Sequence, residues 1–289
     1  MSSAALLLVL TSAAVHAYWN YLYKQAKDKQ AFPVYKSIAS WIMLTIAGTI
    51  AWRLQPPESL EFIPHAVLSG FCYAGYFIFM SAAYEHGDLS VVYPISRGVG
   101  PALAAVGGFV ILHEKLTGMG VVGVGLILSA VVVISAAAGR GVKTEDADPL
   151  LGALFACLVG LMIAVYGVND AVGVRKAHPL IFLMVGVGVS LLVLIPWQIW
   201  RHGRRRIARA WHQEWRMYLS CSVLDTSSYV LYLLALQLAP TAYVTPTRSV
   251  SVILAAVAGV ALLKEAQGVL RIGSAAAVVA GVLLIRGWG

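Results

Sequence analysis

The sequence predicts an all-α integral membrane protein of ten transmembrane helices, arranged as two inverted five-helix repeats. Three observations predict it. Of the 289 residues, 60% are hydrophobic and 12% charged, and the mean hydropathy is +0.79; an ordinary soluble domain is about half apolar and a quarter charged. The apolar residues arrive in blocks of roughly 20, the length of helix that crosses a bilayer core. A stretch of the fourth block also returns in the ninth.

Blocks bounded by Pro, Gly or charge place the first five spans near residues 4–23, 33–52, 63–84, 90–112 and 118–138. The first block imitates a signal peptide, with Ala4 to Leu10 followed by Val15-His16-Ala17. No lysine or arginine precedes it, however, and its apolar-aromatic run continues to Tyr23, so it is expected to be a transmembrane helix. A polar link carrying Arg140, Lys143, Glu145, Asp146 and Asp148 follows. Five more spans fall near 150–173, 180–200, 216–237, 241–263 and 268–286. The expected organisation is a first repeat over 1–138, a link over 139–149 and a second repeat over 150–289.

A shift of 151 residues places Arg97 on Arg248 and Glu114 on Glu265, with nine identities in the 18 positions they bound. Composition alone supplies some Ala and Val matches, but hardly both charged pairs. Five spans per unit is an odd number, so the second copy is inverted relative to the first. Such an arrangement supports alternating access by rocking one half against the other.

The segment Asp88-Leu89-Ser90-Val91-Val92-Tyr93-Pro94-Ile95-Ser96-Arg97-Gly98, running to Leu112-His113-Glu114-Lys115-Leu116-Thr117, is echoed by Ala239-Pro240-Thr241-Ala242-Tyr243-Val244 running to Lys264-Glu265. With His16-Ala17-Tyr18-Trp19-Asn20 and Lys24 closing the first span, and Asn169 to Arg175 closing the sixth, the whole chain resembles the ten-helix EamA-type branch of the drug/metabolite transporter superfamily. The resemblance implies export or uptake of metabolites without naming one. Four-helix multidrug relatives use a glutamate in the middle of their first helix, where this chain has His16 and Asn20 instead.

Arg97 and Arg248 lie about seven residues inside their spans, roughly 10 Å along a helix axis, where charge is expensive and must face protein or a water-filled cavity. One reading is a paired lining for a carboxylate or phosphate. The other is that each locks the halves by pairing with a carboxylate or helix-end carbonyls. Asn20, Tyr76, Tyr93 and Ser228 are further candidate substrate contacts. Asp225, Asp170 and His16 are the candidates for proton coupling, with Asp225 on its polar turn preferred to Asp170, provided that no arginine holds it ionised. Pro94, Pro101 and Pro246 are expected to kink the helices beside the arginines, although simple packing geometry explains them equally. Glu114 and Glu265 oppose the dipole of the helix each closes and so need partners; they read as interface residues. The glycines and alanines of the fifth and tenth spans suit close packing or a homodimer face.

The net charge of +8 lies in short links rather than on one stripe, so nucleic acid is not an expected partner. The expected partners are the bilayer, a small-molecule substrate and a second copy of the chain. Cys72, Cys157 and Cys221 share no metal-ligand spacing. Neither a P-loop, a zinc-protease motif nor a nucleophile elbow is present, so no cofactor, metal or enzymatic role is expected. Thirteen of the loop lysines and arginines fall on the side opposite the termini and five on the terminal side, which places both termini outside a bacterial inner membrane. Ten-helix relatives are usually drawn with termini inside, so the resemblance implies the opposite orientation.

Overall fold

The computed structural model describes residues 1–25, 31–87, 89–138, 148–254 and 268–288. Among them, every regular element is a helix. The first half contributes α1 (Ser3–Lys24), α2 (Phe32–Leu54), α3 (Phe62–His86), α4 (Leu89–Val110) and α5 (Gly118–Ala138). The second contributes α6 (Pro149–Gly173), α7 (Pro179–His202), α8 (Arg204–Leu238), α9 (Thr241–Arg248) and α10 (Gly268–Trp288). Within α1, α2, α3, α6, α7 and α8 lie apolar segments long enough to cross a membrane.

Local chemistry sets several starts. Ser2 caps α1 by accepting from the Ala5 amide at 3.2 Å. Asp148 accepts from the amides of Leu150 and Leu151, both at 3.1 Å, and Pro149 opens α6 with the φ a helix requires. The ring of His178 does the same for α7, accepting from the Leu180 amide at 3.2 Å ahead of Pro179.

Eight spans match their sequence-predicted extents to within two residues, and the eighth and ninth depart further. The eighth helix begins at Arg204 rather than near 216, because a basic segment joins the span across a break at Glu214, where φ is −140°. The fourth ends at Val110, two residues early, and the left-handed His113 (φ 52°) turns the chain away. The ninth stops at Arg248; after a turn at Ser249, helical backbone resumes over 250–254. Residues 255–267, which include Lys264 and Glu265, lie outside the described residues.

The packing obeys the inverted repeat. α3 packs on α6 as α1 packs on α8, while α2 meets α7, α4 meets α9 and α5 meets α10 across the pseudo-two-fold axis. Some of the small residues of α5 and α10 are used within the chain, whereas Gly118, Gly125 and Gly273 have open space beside them. A Cβ added to Gly123 would stand 2.7 Å from the Gly281 carbonyl oxygen, so these backbones approach as only glycine permits. Phe62, Ile181, Phe182 and Leu236 fill the interior, whereas Leu7, Leu150 and Leu192 stand outward as a lipid-facing surface requires.

The face holding both chain ends is sealed by polar contacts between the halves. Glu114, on the α4–α5 link, reaches the start of α9 and accepts from the amides of Thr241 (2.6 Å) and Ala242 (2.9 Å), with Arg175 3.9 Å away. Its carboxylate thus sits at the positive end of a helix in the other repeat rather than in the last turn of its own span. Lys176 pairs with Glu61 at 2.7 Å, and the Thr117 amide donates to the Tyr243 hydroxyl at 2.9 Å.

Candidate functional site

Between the halves lies a cavity of about 140 Å³. The first repeat supplies His16 and Trp19 from α1, Lys36 and Ser40 from α2, Tyr73, Tyr76 and Phe77 from α3, and Arg97 from α4. From the second come Tyr166 (α6), Ser190 (α7), Asp225 and Tyr229 (α8), and Arg248 (α9). A smaller adjoining cavity of about 50 Å³ shares His16, Arg97, Tyr166 and Arg248 and adds Pro101 and Thr245. Both duplicated arginines therefore stand at the boundary of the two spaces.

Arg248 is held from several directions. Its guanidinium lies 5.0 Å from the centre of the Tyr229 ring and 4.8 Å from that of Tyr232, a stacking that favours a planar cation. Nε donates to Ser12 Oγ at 3.3 Å, and a terminal nitrogen lies 3.2 Å from His16 Nδ1. The Trp19 indole N–H donates to that same Nδ1 at 3.1 Å. Neither donor can accept, so His16 Nδ1 carries no proton. As a proton carrier, His16 would have to give up both contacts.

The proviso attached to Asp225 fails in a form the sequence reading did not anticipate. Its partner is a lysine: Lys36 Nζ, from α2, contacts Asp225 Oδ2 on α8, and the two side chains are only 9% and 19% exposed. The ammonium also lies 5.7 Å from the Trp19 ring and 5.4 Å from that of Phe77. Lys36 was missed although the rule that singled out Arg97 applies to it. It stands three residues past Pro33, near a span end, where a lysine is ordinarily expected to reach the membrane surface.

Asp170 is fully buried and, among the described residues, forms no ion pair. Ser69 donates to one carboxylate oxygen, while Tyr73 (2.8 Å) and Tyr229 (2.6 Å) donate to the other. Beside it, Asn169 Nδ2 donates to Ser69 Oγ and to the His65 carbonyl, both at 2.7 Å.

The remaining candidates divide. Tyr76 lines the cavity, in edge contact with Phe77. Asn20 instead turns back to donate to the His16 carbonyl at 2.7 Å. Ser228 ties α8 to α1, its hydroxyl donating to the Ser12 carbonyl at 2.9 Å while Ser12 Oγ donates to the Ser228 carbonyl at 2.7 Å. The side chains of Tyr93 and Pro94 are outside the described set. α4 runs unbroken through Pro94 and Pro101, so a helix break accompanies Arg248 but not Arg97. It follows Pro246 closely, and the Ser249 amide bonds the carbonyls of Pro246 and Thr247. Among the described residues, no group of three His, Cys, Asp or Glu side chains is placed to hold a metal ion.

The EamA-like transporter family matches the chain twice, over residues 3–136 and 150–287. The chain belongs to that family. It is 39% identical over 98 residues to the multidrug resistance protein EbrB of Bacillus atrophaeus, covering 34% of this chain and 82% of that one. Over 94 residues it is 32% identical to the uncharacterized membrane protein YvaE of Bacillus subtilis (strain 168), covering 32% of this chain and 77% of the relative. A solved crystal structure superposes with a TM-score of 0.76 over 99% of this chain and 98% of its own, at 14% identity, a likeness of fold alone. Two family units in one chain account for a cavity walled by both halves, with the duplicated arginines facing it from opposite repeats.

Proposed function

We propose that this EamA-family member is a secondary active exporter or exchanger of a small anionic or zwitterionic metabolite, working by alternating access between its inverted repeats. The carrying observation is the charge of the cavity wall: Arg97, Arg248 and Lys36 against the single carboxylate Asp225, which Lys36 already engages. Away from bulk water such a surplus attracts an anion, and the guanidinium fork suits a carboxylate or phosphate. Tyr76, Trp19 and Phe77 supply apolar faces for the rest of a small cargo. The name of EbrB, a multidrug resistance protein, is consistent with movement of small molecules by this chain.

On the terminal face Glu114, Glu61 and Thr117 hold the two halves together. The positive-charge asymmetry supports reading the face opposite the termini as the cytoplasmic face of a bacterial inner membrane, with both termini outside.

A thermal-shift screen of purified protein against anionic, zwitterionic and cationic metabolites, repeated with Arg97→Ala and Arg248→Ala, tests the reading, because a ligand that binds only the folded state stabilises it. Stabilisation by anions that both variants lose is expected. Stabilisation by cations that survives in well-folded variants would make the arginines structural.

A further inference from the structure

We infer that Asp170 is the cavity's exchangeable proton site, reached through the hydroxyls of Tyr73 and Tyr229, and that proton and anion favour each other's binding. The coupling rests on the anion reading above; the proton site does not.

The composition of the shell around Asp170 carries the inference. Among the described residues, the three groups that hydrogen-bond its carboxylate, those of Ser69, Tyr73 and Tyr229, are all hydroxyls. A hydroxyl both donates and accepts, so it can rotate to meet a carboxylate or the O–H of a carboxylic acid, whereas an ammonium or amide N–H can only donate and so offers that O–H no acceptor. Asp170 can thus change protonation state without stranding a buried polar group, whereas protonating Asp225 would leave the Lys36 ammonium without its counter-charge.

The path is also present. Asp170 does not line the cavity, but Tyr73 and Tyr229 do. A proton on cavity hydronium passes to the Tyr229 oxygen as the phenolic proton moves to Asp170 Oδ2. One O–H bond breaks and one forms at Tyr229, one forms at Asp170, and water is left behind. On the other side, Ser69 accepts from the Asn169 amide, whose oxygen lies 2.7 Å from His65 Nδ1; an amide does not relay a proton as a hydroxyl does, so among the described residues the two tyrosines give the route, and it leads to the cavity.

Charge sets the sign of the coupling. Facing Asp170 are Tyr73 and Cys72 from α3, Tyr229 and Tyr232 from α8, Tyr166 on its own helix and Arg248 from α9, with Arg97 of α4 on the same cavity. The cation among Asp170's immediate neighbours, Arg248, is held off by the Tyr229 ring, whose hydroxyl touches Asp170. An anion on Arg248 cancels the field that favours ionised Asp170 and so promotes proton uptake; by linkage, a proton on Asp170 promotes anion binding.

Infrared difference spectroscopy of the purified protein on acidification, with no ligand, reads the carbonyl stretch of a protonated buried carboxyl. The band is expected in the wild type and in Asp225→Asn and should vanish in Asp170→Asn. It should shift in both Tyr73→Phe and Tyr229→Phe, which identifies it even if Asp170→Asn fails to fold, because Asp170 accepts from both phenols. Hydrogen–deuterium exchange of that carboxyl should slow in the double phenylalanine variant. At fixed pH, Arg248→Gln should strengthen the band. A band that persists without Asp170, disappears with Asp225 or ignores both phenylalanines overturns the site, as does the absence of any such band while the protein stays folded. An unchanged band in Arg248→Gln overturns the coupling. If Asp170 titrates as expected while no anion stabilises the protein, the anion reading fails and the proton site stands.

Discussion

Removing either member of the Lys36–Asp225 pair should destabilise the protein strongly, and removing both should restore most of the loss. Exposure decides the scale: at 9% and 19% the two side chains resemble a buried pair more than a surface one. Breaking a buried pair costs about 3–5 kcal/mol, whereas an exposed pair is worth about 0.2–1 kcal/mol. The singles differ because the partners left behind differ. After Asp225→Asn the ammonium still faces the Trp19 and Phe77 rings, each worth roughly 0.5–1 kcal/mol, so the loss should fall near 2–3 kcal/mol. After Lys36→Met the carboxylate loses its counter-charge, and the loss should be about 3–4 kcal/mol. The double variant strands no charge and should lose about 1 kcal/mol, a coupling of about 4–6 kcal/mol. The assay is thermal unfolding of the four proteins in one detergent, where about 3 kcal/mol corresponds to a fall of about 6–12 °C. A double variant whose loss equals the sum of the singles would refute the reasoning.

Glu114→Ala should lower thermal stability by roughly 2–4 kcal/mol, because the Thr241 and Ala242 amides lose their shared acceptor; Glu114→Gln, which keeps one oxygen, should lose about half as much, and equal losses would mean that the cap is not the cause. Gly123→Val should cost at least about 1–3 kcal/mol by forcing α5 from α10, whereas Gly125→Ala, with open space around its added methyl, should be neutral or raise Tm slightly. Lys176, by hydrogen bond and charge, holds the Glu61 carboxyl below its ordinary range. That contribution is present above the ordinary glutamate value and is lost as pH falls through the depressed one. Glu61→Gln should flatten this acid limb of Tm against pH, and high salt should erase the difference from wild type.

The sequence displays the spans because hydropathy over a 20-residue window is a local property, and it displays the duplication because both copies keep an arginine and a glutamate at the same spacing, the inversion following from the odd number of spans. Arg97 and Arg248 were legible for the same reason: a charge far inside an apolar block has to face protein or water. What the sequence hides is pairing. Lys36 looks like a span-end lysine until α8 brings Asp225 to it, and Asp170 looks like another span-end acid until α3 and α8 close hydroxyls around it. Ser228 and Asn20 show the converse, since a polar residue in a span serves a neighbouring helix or its own backbone as readily as a cavity. Glu114 was read as an interface residue needing a partner; that the partner is the start of α9 follows from the end of α4 at Val110 and the turn at His113.

The reach of Glu114 into the second repeat sets a condition on biosynthesis. Its two acceptor bonds are to amides 127 and 128 residues downstream, so at ribosomal speeds of about 5–20 residues per second the carboxylate waits on the order of 10 s for the helix it caps. During that interval the nascent first half is inserted with its membrane-edge acid unsatisfied. A truncated product ending before α9 never supplies the missing amides, so quality-control proteases should recognise a half-length chain at that open edge.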